Sequence, residues 1–181
     1  KNHNIYETPV NLSNNPLNGN ISNLQYYNRA LTQTEVQQNY YQAPIVTNGL
    51  ILALDAGNLV SYASGSATTY SLTGSNNGSL LNGVGYNSGN GGTWVFDGVD
   101  DYITASTSNL AFTTQGTISF WMVADAVESY RNPLQINNVS LRFEEYSPGD
   151  TFHGGFLAWN NADRLRYLPY PETLTQGAWY N

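Results

Sequence analysis

The chain has 181 residues, room for one ordinary domain or parts of two, and its 40% hydrophobic and 13% aromatic content is enough for a real core. Charged residues are only 10%, well below the usual quarter, so its polar surface must come from Asn, Ser, Thr, Gln and Gly. Six Lys+Arg against thirteen Asp+Glu, a formal charge of -7, leave no basic footprint for phosphates and so exclude a nucleic-acid binder or an anionic-membrane binder. Cysteine is absent, which removes disulfides, thiolate metal sites and cysteine nucleophiles together. No apolar run is long enough to span a bilayer. The first residues show no signal-peptide core, and the missing initiator Met leads to the expectation of a processed product or a piece of a longer protein.

In chain order, residues 1–19 are polar and turn-rich, with a strand expected near Ile5 or Val10. Residues 20–27 alternate better, with Ile21, Leu24 and Tyr26 expected to be buried around an irregularity. Thr32 is an N-cap with Glu35 three residues later, the spacing of a capping box, and predicts a short helix over 33–40. Pro44 cannot continue it. Residues 43–48 read as a linker. Gly49 opens Leu50-Ile-Leu-Ala-Leu-Asp55, a strand apolar on both faces and therefore covered on both sides.

Leu59–Tyr62 is expected as a short strand, as are Ser79–Asn82 and Val84–Tyr86, between glycine turns. Thr93–Asp97 and Asp101–Ala105 read as the two arms of a hairpin turning at Gly98. Ile118–Val123 is the best strand in the chain. Val139–Glu145, Phe152–Trp159 and Arg164–Leu168 alternate as strands, and residues 176–181 open another.

Two stretches carry a family resemblance. Ile21-Ser-Asn-Leu-Gln-Tyr-Tyr-Asn-Arg-Ala-Leu-Thr-Gln-Thr-Glu-Val-Gln-Gln-Asn-Tyr40 resembles the closing strand and capped helix of a laminin-G-like domain. Gly49–Asp55 with Trp94-Val-Phe-Asp-Gly-Val-Asp-Asp-Tyr-Ile103 resembles the start of one. The resemblance implies an all-β fold: a concanavalin A-like jelly-roll sandwich of two antiparallel sheets, with one short helix near residues 33–40. The two motif sets stand in reverse order. The favoured expectation is therefore a tandem junction, with residues 1–44 ending one domain and residues 45–181 beginning a second. A permuted single domain and a segment of a longer protein are the alternatives. Residues 1–44 are expected to pack as an edge element of a sandwich.

No catalytic set is visible, so no enzyme is expected. Some laminin-like sandwiches are glycosidases, whose paired carboxylates alternate along one strand to point into one cleft. Here Glu144 and Glu145 are adjacent and face opposite ways, Asp150 sits in a Pro-Gly turn, and His3 and His153 form no triad. Oxygen-rich turns make calcium the one candidate cofactor, with Asp97, Asp100 and Asp101 at the Gly98 turn and Asn76 and Asn77 in the turn that lies nearby in related domains. Aspartate and glycine are also what such turns use for their own sake. In the family's acidic turn, Ser71 replaces the aspartate. Tyr130, Trp159, Tyr167 and Tyr170, in or beside turns, are the candidates for stacking on sugars, although packing is the commoner fate of an aromatic ring.

The resulting expectation is a non-enzymatic surface or structural module of a larger protein, such as a virion decoration, fibre or adhesin protein. Its partners would be other copies or other structural subunits of the assembly, with glycans as a further ligand, and its place the virion surface or the extracellular space. The competing reading is a carbohydrate-binding lectin module of a bacterial secreted or cell-surface protein.

Overall fold

The structure is a computed structural model and describes residues 10–11, 17–40, 44–105, 116–125, 133–136, 139–144, 153–159, 164–166 and 175–180. In chain order the elements are β1 (Val10–Asn11), β2 (Asn18–Tyr27), α1 (Gln33–Tyr40), β3 (Leu50–Asp55), β4 (Thr68–Thr69), β5 (Gly78–Leu81) and β6 (Gly85–Asn87). After a 3-10 turn at Gly89–Gly91 come β7 (Thr93–Asp97), β8 (Tyr102–Ala105), β9 (Thr117–Ala124), β10 (Leu134–Ile136), β11 (Val139–Glu144), β12 (His153–Trp159), β13 (Arg164–Arg166) and β14 (Trp179–Tyr180). The fold of the described residues is all-β with one short helix.

The strands form two antiparallel sheets. One has the order β13-β12-β11-β10-β1-β8-β5-β4; the other runs β14-β9-β2-β7-β6, with β3 also paired to β2. Both sheets face one hydrophobic core. Ile21, Leu24, Tyr26, Leu52, Leu54, Trp94, Phe96 and Met122 enter it from the smaller sheet, and Ile103, Ala105 and Leu134 from the larger. Trp94 is fully buried and meets the Tyr62 ring edge-on at 5.8 Å between centroids. Such aromatic pairs add about 0.5–1.5 kcal/mol beyond their buried area.

The organising strand is β2. Its length lets two shorter strands share one of its edges. Asn18 to Ile21 pair with β7, and Asn23 to Tyr27 pair with β3. Ser22 fills the junction: its carbonyl accepts from Ala56 N at 3.0 Å and its hydroxyl donates to Gly92 O at 3.1 Å. The opposite edge pairs with β9 from Gly19 to Tyr27, with a register shift between Ile21 and Leu24. This is the irregularity that the sequence spacing anticipates. The expectation of an edge element is corrected: β2 lies inside the sheet because its alternate residues Leu24 and Tyr26, and its neighbours Gln25 and Tyr27, are all buried and need cover on both edges and faces.

The helix forms as its cap dictates. Thr32 Oγ1 accepts from Glu35 N at 3.3 Å, and Glu35 Oε2 accepts from Thr32 N at 2.9 Å, a reciprocal capping box. Arg29 adds what the cap alone does not reveal. Its guanidinium donates to both Glu35 oxygens, at 2.6 and 2.9 Å, and to Asn48 O at 2.9 Å. This fork holds Glu35 at about 2, with Arg29 the leading cause and the Thr32 hydrogen bonds next. Thr117 then ties the loop to the sheet, accepting from Leu31 N and donating to Arg29 O.

Two further expectations are corrected. Leu59–Tyr62 is not a strand but a turn, since Ser61 N and Tyr62 N both donate to Asn58 O at 2.8 Å. Thr93–Asp97 and Asp101–Ala105 are not a hairpin. β7 pairs with β2 and β6, whereas β8 pairs with β1 and β5 in the other sheet. The four-residue link therefore turns a corner of the two-layer core. Among the described residues, no helix is long and apolar enough to cross a membrane.

Candidate functional site

The corner between β7 and β8 gathers more charge than any other feature described. It begins at Asp97, whose Oδ1 accepts from Val99 N at 2.7 Å and from Asp100 N at 3.4 Å. Asp101 reaches back, its Oδ2 accepting from Asp97 N at 3.1 Å. Gly98 makes the corner feasible. Its φ is +77°, and a Cβ there would stand 2.8 Å from the Cβ of Asn18. The turn between β5 and β6 braces the outside, with Asn82 Nδ2 donating to Asp100 O at 2.8 Å.

The consequence is electrostatic. Asp97, Asp100 and Asp101 each place a carboxylate oxygen within 4.8 Å of the other two. Asp97 and Asp100 are exposed, whereas Asp101 is only 4% exposed. Burial raises the Asp101 pKa, the neighbouring Asp97 and Asp100 charges raise it further, and the hydrogen bond from Asp97 N opposes them. Asp101 Oδ1 is buried with no hydrogen-bond partner, so one oxygen of the trio bears an uncompensated desolvation cost. Three converging carboxylates, two of them (Asp97 and Asp101) held by backbone amides, form a set of hard oxygen donors of the kind that suits a divalent cation.

Asn76 and Asn77 do not join this group. They precede β5, whereas the corner contacts Asn82 beyond its other end, about 17 Å away at about 3.4 Å per extended residue. Their amides serve the local loop. Asn77 Oδ1 accepts from Ser71 N at 3.0 Å, and Asn76 Nδ2 donates to Ile51 O at 3.4 Å. Of the proposed sugar-stacking residues, Tyr130, Tyr167 and Tyr170 lie outside the described residues. Trp159 ends β12, where it pairs with Arg164. His3, Glu145 and Asp150 also lie outside the described residues.

A second feature is apolar, and sequence reasoning missed it. Leu59 is 86% exposed and Val60 76% exposed on the turn after β3. The turn is fixed from below. Asn58 Oδ1 accepts from Val60 N at 2.9 Å, and the buried Ser61 and Tyr62 anchor its far side. Ser61 hydrogen-bonds Tyr70 in both directions, accepting at its carbonyl from Tyr70 N at 2.6 Å and donating from its hydroxyl to Tyr70 O at 2.7 Å. Tyr70, itself 54% exposed, is thus placed beside the Leu59–Val60 tip. The signal was present in the sequence as two apolar residues following Asn58, but apolar residues in a row suit a strand equally well.

No protein-family model matches the chain, and no match is found among curated proteins or solved structures.

Proposed function

We propose that this chain is a non-enzymatic assembly module, a concanavalin A-like jelly roll of the laminin-G type displayed on the outside of a larger structural particle such as a virion or fibre. The observation that carries the reading is the stiff apolar tip of Leu59 and Val60 with Tyr70 beside it. Apolar side chains scattered singly are ordinary on a protein surface, but a group of them on one braced turn favours a contact with another protein. The partner in this reading is a second copy of the same chain.

The experiment is sedimentation velocity on the full chain and on the double variant Leu59→Asp, Val60→Asp. Wild type associates with rising concentration. The variant weakens this about 100-fold or more, because burying one such side chain contributes about 1.5–3 kcal/mol. Its Tm stays within about 2 °C, because both residues stand outside the core. A wild type that stays monomeric to about 100 μM, a concentration that would populate any contact with micromolar Kd, overturns the reading. Specific signals on a glycan array, lost in Trp159→Ala, would establish the lectin instead.

A further inference from the structure

We propose that Asn90 is a site of self-catalysed modification, at which the folded chain converts its own asparagine to aspartate and isoaspartate and so alters the turn between β6 and β7. Asparagine is a chemically labile side chain. Its amide carbon can be attacked by the backbone nitrogen of the next residue, and a glycine there leaves that nitrogen unhindered. The sequence holds five such Asn-Gly steps, at Asn18, Asn48, Asn77, Asn82 and Asn90. The fold restrains four of them. Gly19 is buried within the ladders to Phe96 and Ala124. Asn48 O accepts from Arg29 Nε at 2.9 Å and Gly49 O from Asn28 N at 3.0 Å, which pins that turn on both residues. Asn77 Oδ1 accepts from Ser71 N at 3.0 Å, and Asn82 Nδ2 donates to Asp100 O at 2.8 Å, so both amides are held. The exposed Asn90 side chain has no such hold among the described residues. Its backbone sits at φ +52°, ψ +34°, in the left-handed region that L side chains rarely adopt. A Cβ built on Gly91 would meet nothing within 4 Å, so the space around the attacking nitrogen is open.

A backbone hydrogen bond from Gly92 N to Gly89 O at 3.0 Å closes the turn, and its opening frees Gly91 N to approach Asn90 Cγ. The N–Cγ bond forms, the Cγ–Nδ2 bond breaks, and Nδ2 leaves as ammonia with the Gly91 amide proton. Water then opens the cyclic imide. Cleavage at Cγ gives aspartate; cleavage at the former backbone carbonyl gives isoaspartate, whose main chain is longer by one methylene. Aspartate suits a left-handed turn position and keeps the turn. Isoaspartate does not, because the turn is fitted closely to Gly57. A Cβ on Gly57 would stand 1.7 Å from Gly91 O, and one on Gly92 would stand 2.6 Å from Gly57 Cα. Gly57 leads directly into the turn that carries Leu59 and Val60, so the longer backbone loosens that turn from below. The chemistry itself does not depend on the assembly reading.

The test incubates the full chain in mildly alkaline buffer, where the attacking nitrogen gives up its proton more readily, and maps its peptides by mass spectrometry over time. The peptide holding Asn90 converts at least about 10-fold faster than those holding the other four steps, each of which must first lose a hydrogen bond or leave a ladder. Its product separates into two chromatographic species of equal mass, one of them labelled by an isoaspartyl methyltransferase. In denaturing urea the five steps converge to within about 3-fold, because the restraints that rank them are gone. Asn90→Asp melts as wild type does, whereas the isoaspartate fraction separated from aged protein shows faster amide hydrogen exchange at residues 57–62. Another Asn-Gly step converting first in the folded chain, or the same ranking persisting in urea, overturns the site. Unchanged exchange at residues 57–62 in the isoaspartate fraction overturns its effect on the Leu59–Val60 turn.

Discussion

Replacing Leu24 by alanine tests whether the strand near the start of the described chain and the strands after residue 49 make one cooperative structure. Leu24 is 1% exposed, stands opposite Leu54 of β3 on one edge and Phe120 of β9 on the other, and belongs to the shared core. Truncation of a fully buried leucine costs about 2–5 kcal/mol, the upper half applying where neighbours cannot collapse into the gap. Here strands on both sides are held by backbone ladders, so a value near 4 kcal/mol is expected, a large part of a typical total of about 5–15 kcal/mol. With an m value of about 2–3 kcal/mol/M, the urea midpoint falls by about 1.3–2 M. The assay is urea unfolding followed by far-UV circular dichroism, with amide hydrogen exchange reporting on β2, β7 and β9 separately. All probes should shift together in a single transition. The reasoning is refuted if β7 keeps its wild-type midpoint while only residues 17–40 loosen, as a junction between independent domains would require. Val36→Ala, on the 40% exposed Val36 of α1, serves as the control and should stay within about 0.5 kcal/mol.

Two further outcomes follow from other parts of the fold. Glu35 is held at about 2, below its ordinary 4.5, chiefly by Arg29; its contribution to stability is therefore complete above about pH 4.5 and is lost as pH falls from there towards 2. Melting temperature measured across that window should decline less steeply in Glu35→Gln than in wild type, and an unchanged slope would remove the ion pair from the account. Gly57→Ala should destabilise by about 1–3 kcal/mol by chemical denaturation, because the new Cβ would stand 1.7 Å from Gly91 O, a backbone atom that cannot swing aside. An alanine variant as stable as wild type would mean that the loop before the Leu59–Val60 tip is not packed against the 3-10 turn as described.

Much of the fold could be read from local chemistry. The capping box placed α1 because Thr32 and Glu35 satisfy each other's backbone amides within four residues, with no help needed from elsewhere. The doubly apolar β3 announced its cover, and Leu52, Ala53 and Leu54 are indeed all buried. What could not be read was which strand each edge would meet. Thr93–Asp97 followed by a glycine turn and Asp101–Ala105 has the pattern of a hairpin, and only the competing ladders to Asn20 and to Leu80 show that the two arms part. The same limit governs the site. The carboxylates of Asp97, Asp100 and Asp101 are close in sequence and converge in space, whereas Asn76 and Asn77 depended on long-range placement and lie at the other end of β5. Arg29 was visible in its motif, but its fork onto Glu35 depends on how the chain bends between Tyr27 and Thr32.

The position of β2 also determines how the molecule meets tension. A strand zipped on both edges cannot be peeled away one hydrogen bond at a time when its two ends are drawn apart along its length. Its ladders to β9 and to the β3 and β7 pair lie in shear and must yield nearly together, whereas β6 and β14, outermost among the described residues, each have a single ladder there to lose. A tether attached near Leu17 and another beyond α1 would therefore load the stiffest direction of the sheet, with the Arg29–Glu35 fork and the Thr117 clasp taking up the slack at one end. In a fibre or a particle coat, mechanical endurance would then depend on this inner strand more than on the thickness of the core.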